Sequence, residues 1–358
     1  MSWERNIRKV TPYVAGEQPQ GKVIKLNTNE CPYAPSPQVA RVMYDLAEKE
    51  IDGSTSMLRK YPNMDAKNLT DAISKVYDID FDKIFVGVGS DDVIAMCYLT
   101  YFNSDKPILF PDITYSFYDV WANVYRIPFE VQPLDEDFKI RKEDYTDKPN
   151  GGIIIPNPNA PTGVFEDPSM FEDIIKANSD SIVVIDEAYV DFGGESCLPL
   201  IDKYDNVVVV QTFSKSRALA GLRIGIAFSN PKLIKYLKDV KFSINSYTMN
   251  YPSIEIGAAA VLDTEYFNET VPCIIDTREW TKDELKKLGF KFEDSKANFI
   301  FATHREKNAE EIFTYLKSRN IYVRHFKKPE RISNYLRISI GTRTDMETLI
   351  KELKEYLK

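Results

Sequence analysis

Three runs of β-branched residues constrain this chain more than any other feature of its sequence: Gly152 to Ile155, Ile182 to Ile185 and Val207 to Val210. Each is continuous rather than alternating, which fits strands buried on both faces of a mainly parallel sheet. Ile84-Phe85-Val86-Gly87-Val88 is another short strand-like run, and Gly89-Ser90 leads from it into a helical stretch, Asp91 to Phe102. Ile108 to Phe110 reads as the next strand, Ser116 to Val124 as a helix and Phe129 to Val131 as a further strand. After about residue 245 the texture changes. Amphipathic helices such as Asp276 to Leu288 alternate with shorter strands at Asn298 to Ala302, Ile321 to Arg324 and Leu336 to Ile340. The last helix is expected to open on a capping box, Thr344 to Glu347, and to bury a stripe of Leu349, Ile350, Leu353, Tyr356 and Leu357. The expectation is α/β: a large domain over residues 36–245 and a smaller α+β domain over 246–358. The arm 1–35, with five prolines or glycines between Pro12 and Pro32, joins the smaller domain.

At 358 residues and 43% hydrophobic content, the chain has enough apolar side chains for two such cores. A net charge of −8 without a block of Lys or Arg argues against nucleic acid or anionic membrane as a partner. No run approaches the length of a membrane span. The opening MSWERNIRKV lacks the apolar stretch of a secretory signal. Cys31, Cys97, Cys197 and Cys273 lie far apart with no CxxC pair, so no thiol metal site is expected and reduced thiols in the cytoplasm are. Neither His304 nor His325 has the surroundings of a Ser-His-Asp triad.

In open α/β sheets, ligands bind beyond the carboxyl ends of the strands. Polar groups gather there in this sequence. Asp186 ends one run. Asn157 and Asn159 follow another, and Thr212, Ser214 and Lys215 follow a third. Gly89-Ser90 follows the strand that ends at Val88. Such a set suits pyridoxal 5′-phosphate, which needs a lysine for its aldehyde, a carboxylate at the pyridine nitrogen, a donor at the ring oxygen and an anion cradle. Lys215 fits the first role and Asp186 the second. Tyr189, three residues on, reaches for the ring oxygen. The backbone amides of Ser90 and Asp91 at a helix start, with Thr212, Ser214 and Arg223, form the cradle. The side chains of Asp91 and Asp92 are expected to repel a phosphate, leaving only their amides to help.

The same residues carry a resemblance. Thr212-Phe-Ser-Lys-Ser-Arg-Ala-Leu-Ala-Gly-Leu-Arg-Ile-Gly225 resembles the lysine segment of fold-type I aminotransferases. Asn157-Pro-Asn-Ala-Pro-Thr-Gly163 is similar to their Asn-Pro-Thr-Gly turn, and Asp186-Glu-Ala-Tyr189 to their pyridine-binding strand end. Thr11-Pro12-Tyr13, Leu26-Asn-Thr-Asn-Glu30, Lys60-Tyr61-Pro62 and Leu336-Arg-Ile-Ser-Ile-Gly341 resemble the histidinol-phosphate aminotransferase family more particularly. The resemblance implies a mostly parallel seven-stranded sheet, transamination between L-histidinol phosphate and 2-oxoglutarate, and a homodimer. It implies that Tyr115 stacks on the cofactor ring and that Tyr61 reaches the cofactor phosphate of the neighbouring subunit. Arg337 would grip a substrate carboxylate, a task suited to its fork geometry. Tyr13 and Arg324 would serve the distal phosphate, and Asn29, in the arm motif, the substrate. Two departures stand out. Ala160 occupies the place of the asparagine before Pro-Thr-Gly, leaving the ring oxygen to Asn157 or Asn159. Cys31 and Ala34 replace an asparagine and a glycine in the arm motif.

Each of these residues also has an ordinary reading: solvated lysine, capping aspartate, packing tyrosines, a surface ion pair for Arg324. Rival functions on the same scaffold are an aromatic amino-acid aminotransferase and a phosphothreonine decarboxylase. A nicotinamide oxidoreductase built on Gly87-Val-Gly89 lacks the third glycine, since Asp92 stands there. A regulator sensing the cofactor would need a DNA-binding segment, and no basic helix-turn-helix pattern is present.

Overall fold

The computed structural model describes residues 3–358. Its strands are β1 (Ile24–Lys25), β2 (Ile84–Gly87), β3 (Ile108–Pro111), β4 (Phe129–Gln132), β5 (Ile153–Pro156), β6 (Val183–Asp186), β7 (Val207–Thr212), β8 (Gly225–Phe228), β9 (Phe290–Phe292), β10 (Phe299–His304), β11 (Ile321–Tyr322), β12 (Arg324–His325) and β13 (Leu336–Ser339). Seven of them form one sheet in the order β2-β8-β7-β6-β5-β3-β4. Only β8 runs antiparallel to its neighbours; β7, β6, β5, β3 and β4 are mutually parallel. The β-branched runs are the centre of this sheet, and alternate residues feed two cores. Ile153, Ile155, Val183 and Ile185 pack with Leu69, Ile73, Phe171 and Ile174 on one face. Ile154, Val184 and Val208 pack with Val93, Cys97 and Tyr118 on the other. A strand sandwiched in this way has no solvent face, so it carries no polar alternation.

A second, antiparallel sheet has the order β12-β13-β10-β9, and β1 pairs in parallel with β11. That pairing ties the arm to this smaller unit, whose core joins Leu26, Ile274, Leu285, Ile312, Leu349 and Leu353. Among the described residues no helix is long and apolar enough to cross a membrane.

Five details differ from the sequence reading. The helix Tyr251–Leu262, expected beyond residue 245 in the small domain, packs through Ile254, Ile256, Ala260 and Val261 into the large-sheet core. The amphipathic helix expected from Asp276 begins at Thr264 and runs through Pro272 to Lys287. An internal proline ordinarily breaks a helix, which hid the first half from a pattern reading. The stretch Ile321–Arg324 is two short strands: Tyr322 pairs with Lys25 of the arm, whereas Arg324 pairs with Arg337. Strand β8 went unread because Gly225-Ile-Ala-Phe228 is short and opens on glycine. Finally, the capping box is Thr342 with Asp345, not Thr344 with Glu347. The helix starts at Arg343, so Thr342 is the threonine left outside it as the cap.

Candidate active site

A cavity of about 220 Å³ opens at the carboxyl ends of β5, β6 and β7, lined by Asp186, Tyr189, Ser214, Lys215, Arg223 and neighbouring residues. It lies where the large-sheet core meets the small core: Ala160 and Tyr189 belong to the latter. A second cavity of about 140 Å³ continues from it and shares Thr28, Tyr115, Ala160, Tyr189 and Lys215.

Asp186 is the last residue of β6 and is buried. Its carboxylate accepts from Tyr118 Oη at 2.8 Å and from the Ala188 amide at 3.1 Å. Burial pushes its carboxyl up to about 6, against the lowering effect of those two donors. A cation placed beside it would restore the charged form. Lys215 sits just beyond β7, with Nζ 5.5 Å from the centre of the Tyr189 ring. Thr212 Oγ1 lies 3.1 Å from Ser214 Oγ and donates to the Ile224 carbonyl at 3.2 Å, closing the loop that presents Lys215.

The helix Gly89–Tyr101 points its first turn at the cavity, where Ser90 and Asp91 line the wall with Thr212, Ser214 and Arg223. Close packing leaves no room for side chains at two glycines here. Gly89 has φ of +84°, and a Cβ on it would come within 2.5 Å of the Arg223 guanidinium. A Cβ on Gly225 would stand 2.4 Å from the Ser90 amide nitrogen. The result is a cradle of helix-start amides and hydroxyls that a Cβ would fill, open to an anion. The aspartates there have protein partners. Asp91 pairs with Arg223 at 3.0 Å and accepts from Tyr115 Oη at 2.7 Å. Asp92 takes the Val88 amide at 2.9 Å and the buried Lys241 at 2.6 Å.

In the second cavity, Arg324 and Arg337 face each other across the β12–β13 pair. Arg337 donates to the Asn27 carbonyl at 2.9 Å, while its buried Nε has no protein partner. Burial draws its guanidinium below the ordinary value. A buried donor left over in this way calls for an acceptor in the cavity. Arg324 reaches the Val14 and Ala15 carbonyls of the arm, and Tyr13 stacks on Phe117 at 4.3 Å.

A model of the aminotransferase class I and II family matches residues 21–353. This chain belongs to that family of aminotransferases. A histidinol-phosphate aminotransferase of Lactococcus lactis subsp. cremoris (strain SK11) is 50% identical, with 100% of this chain and 98% of the relative covered. Among solved structures, a histidinol-phosphate aminotransferase from Clostridium acetobutylicum superposes with a TM-score of 0.85 at 21% identity, covering 94% of this chain and 99% of that one. One from Sinorhizobium meliloti, in complex with pyridoxal-5′-phosphate, gives 0.84 at 20% identity over 94% and 90% of the two chains. At these identities the superpositions speak for the fold, which is the fold-type I arrangement expected.

Within the aminotransferase, most of the expected site residues gather at the two cavities, and three do not line them. Asn157 exchanges both side-chain bonds with the Glu166 backbone, at 2.9 Å each. Asn159 gives its amide to the Ile113 carbonyl and Thr162 and accepts from Thr114. Neither lines either of these two cavities, because both are spent holding the turn; Pro156 and Ala160 line the wall instead. Tyr61, expected at a neighbouring subunit's site rather than its own, is 82% exposed and stacked on Tyr247. Sequence reasoning missed Tyr118, Thr28 and Glu30. Tyr118 opens the helix Tyr118–Tyr125 three residues after Tyr115, and nothing in the sequence alone singles it out from the other tyrosines.

Proposed function

We propose that this aminotransferase uses pyridoxal 5′-phosphate to transfer the amino group of L-histidinol phosphate to 2-oxoglutarate. The observation that carries the cofactor is the cradle at Ser90, open to a cavity that Lys215 and Asp186 share. The half-identical Lactococcus relative supports the substrate.

Lys215 would hold the aldehyde, Asp186 the pyridine nitrogen, Tyr189 the ring oxygen and Tyr115 the ring face. The amides of Ser90 and Asp91 with Thr212, Ser214 and Arg223 would hold the phosphate. When bound, the cofactor supplies an electron sink for charge developing on the substrate carbon that bears the amine. Asp186 would keep a proton on the ring nitrogen, and that neighbouring positive charge would lower its own carboxyl from the value to which burial raises it. Lys215 Nζ, which lines the same cavity, would serve as general base for the proton on the substrate carbon that bears the amine. Arg337, with its free Nε, binds the anionic end of the substrate: the carboxylate of the 2-oxo acid in one half-reaction, the phosphate in the other. Arg324 and Tyr13 add a second cation and a hydroxyl to that end of the cavity.

We further propose a homodimer. Ile51, Leu58, Tyr61 and Ile244 are apolar side chains more than half exposed in the single chain, and burial against a second copy would bring Tyr61 to the partner's cradle. A sedimentation mass of one chain would overturn this. The four thiols are unpaired, which suits the reducing cytoplasm.

The test is single-turnover absorbance of the cofactor-loaded protein. Histidinol phosphate should bleach the visible band of the bound cofactor, and Lys215→Ala should slow that step by about 10²-fold or more. Bleaching by phenylalanine or phosphothreonine alone would discard the substrate. No visible band after loading would discard the cofactor.

A further inference from the structure

Asn29 is 1% exposed and sits at φ +55°, a left-handed backbone that asparagine tolerates better than most residues. All its polar groups are engaged. Its backbone N–H donates to Ser339 Oγ at 2.9 Å, and its carbonyl accepts from Asn298 Nδ2 at 3.0 Å. Ser339 Oγ, having accepted that N–H, donates its own hydrogen to Asn29 Oδ1 at 3.0 Å. The amide is thereby oriented, and Nδ2 donates to Tyr189 Oη at 3.0 Å. A hydroxyl that accepts on one side has its hydrogen free to point elsewhere. For Tyr189, which lines the cavity beside Lys215, the open direction is the cavity. The wall opposite, Pro156 and Ala160, offers no donor, and the amides of Asn157 and Asn159 are spent within their own turn.

We propose that Asn29 is a positioning residue: it turns the Tyr189 hydroxyl proton into the cavity, making Tyr189 the single side-chain donor on this side to the ring oxygen of the cofactor. The inference rests on the cofactor reading above and reassigns Asn29 from the substrate to the tyrosine. Its consequence is electrostatic. Negative charge on the ring oxygen stabilises a proton on the adjacent nitrogen by which Lys215 holds the cofactor. A donor to that oxygen weakens the hold and lowers the pH at which the nitrogen loses its proton. Removing the orientation of Tyr189 must raise that pH.

The experiment follows the visible absorbance of the cofactor-loaded protein against pH in Asn29→Gly, Asn29→Asp, Tyr189→Phe and the Asn29→Gly/Tyr189→Phe double variant. Glycine removes the amide without straining the left-handed backbone, and aspartate keeps the shape while placing an acceptor where the amide donates. Both should move the midpoint upward by about half a unit or more, the equivalent of one ordinary hydrogen bond. The double variant should match Tyr189→Phe alone, because Asn29 acts through the tyrosine. An unmoved midpoint in both Asn29 variants, with Tyr189→Phe shifted, overturns this inference and leaves the cofactor reading intact. An Asn29→Gly shift of the same size with or without Tyr189 overturns it too, as an effect not carried by the hydroxyl. A protein that gains no visible band removes the cofactor reading, and this inference with it.

Discussion

Tyr118 and Asp186 show how a single hydroxyl can set the chemistry of a strand end. The aspartate is buried and would hold its proton strongly but for two donors, and the Tyr118 hydroxyl is the only side chain of the pair. Tyr118→Phe should raise the Asp186 carboxyl further above about 6. It should also weaken cofactor binding by about tenfold, the equivalent of one hydrogen bond to a charged acceptor. A fluorescence titration with pyridoxal 5′-phosphate measures this, and an unchanged dissociation constant would remove Tyr118 from the site. At this scale legibility was uneven for a physical reason. Asp186 and Lys215 sit at or just past strand ends, where sequence shows both the strand and the polar residue. Asn157 and Asn159 follow a strand end equally well, yet their amides are consumed by Glu166, Ile113 and Thr162. Whether a polar side chain faces the ligand or its own turn is decided by backbone geometry that a one-dimensional pattern lacks.

Between elements, the closest approach in the site is that of β8 to the start of the helix Gly89–Tyr101. Gly225→Ala would drive a methyl against the Gly89 and Ser90 backbone, where nothing flexible can yield. Overpacking of this kind costs about 1–3 kcal/mol. It should appear as a lower melting temperature and as a loss of affinity for pyridoxal 5′-phosphate larger than the loss for unphosphorylated pyridoxal. Equal losses would mean that the cradle is not the phosphate site. Outside the two cavities of the site, Thr342→Ala should cost about 1 kcal/mol of stability by removing the helix cap, with turnover unchanged. Denaturant unfolding and steady-state rates check both halves of that statement. The elements most legible in the sequence were the central strands, because burial on both faces leaves an unbroken apolar run. Those least legible, β8 and the first half of the helix through Pro272, depend on partners distant in the chain.

The whole molecule carries two buried carboxyls side by side in sequence, and their titration gives it a pH signature. Burial pushes Asp186 up to about 6 and Glu187 up to about 7, whereas the unfolded chain releases these protons near 3.8 and 4.5. The folded state thus binds more protons than the unfolded state between those values. Stability from the neutral forms is complete below about pH 4 and is lost as pH rises through about 6 and then about 7. The cofactor-free protein should therefore melt at lower temperature at pH 8 than at pH 5, and Asp186→Asn should flatten the first part of that fall. A melting temperature that rises over the same range would contradict it. The loop between β7 and β8 has a last consequence. It begins at Phe213, whose amide bonds the Ile224 carbonyl at 3.0 Å, so its two ends are pinned together. Lys215 and Arg223 both ride on it. If Lys215 and Arg223 anchor the two ends of the cofactor as proposed, the reach between them is gauged by one closed length of chain, independent of the arm and β13.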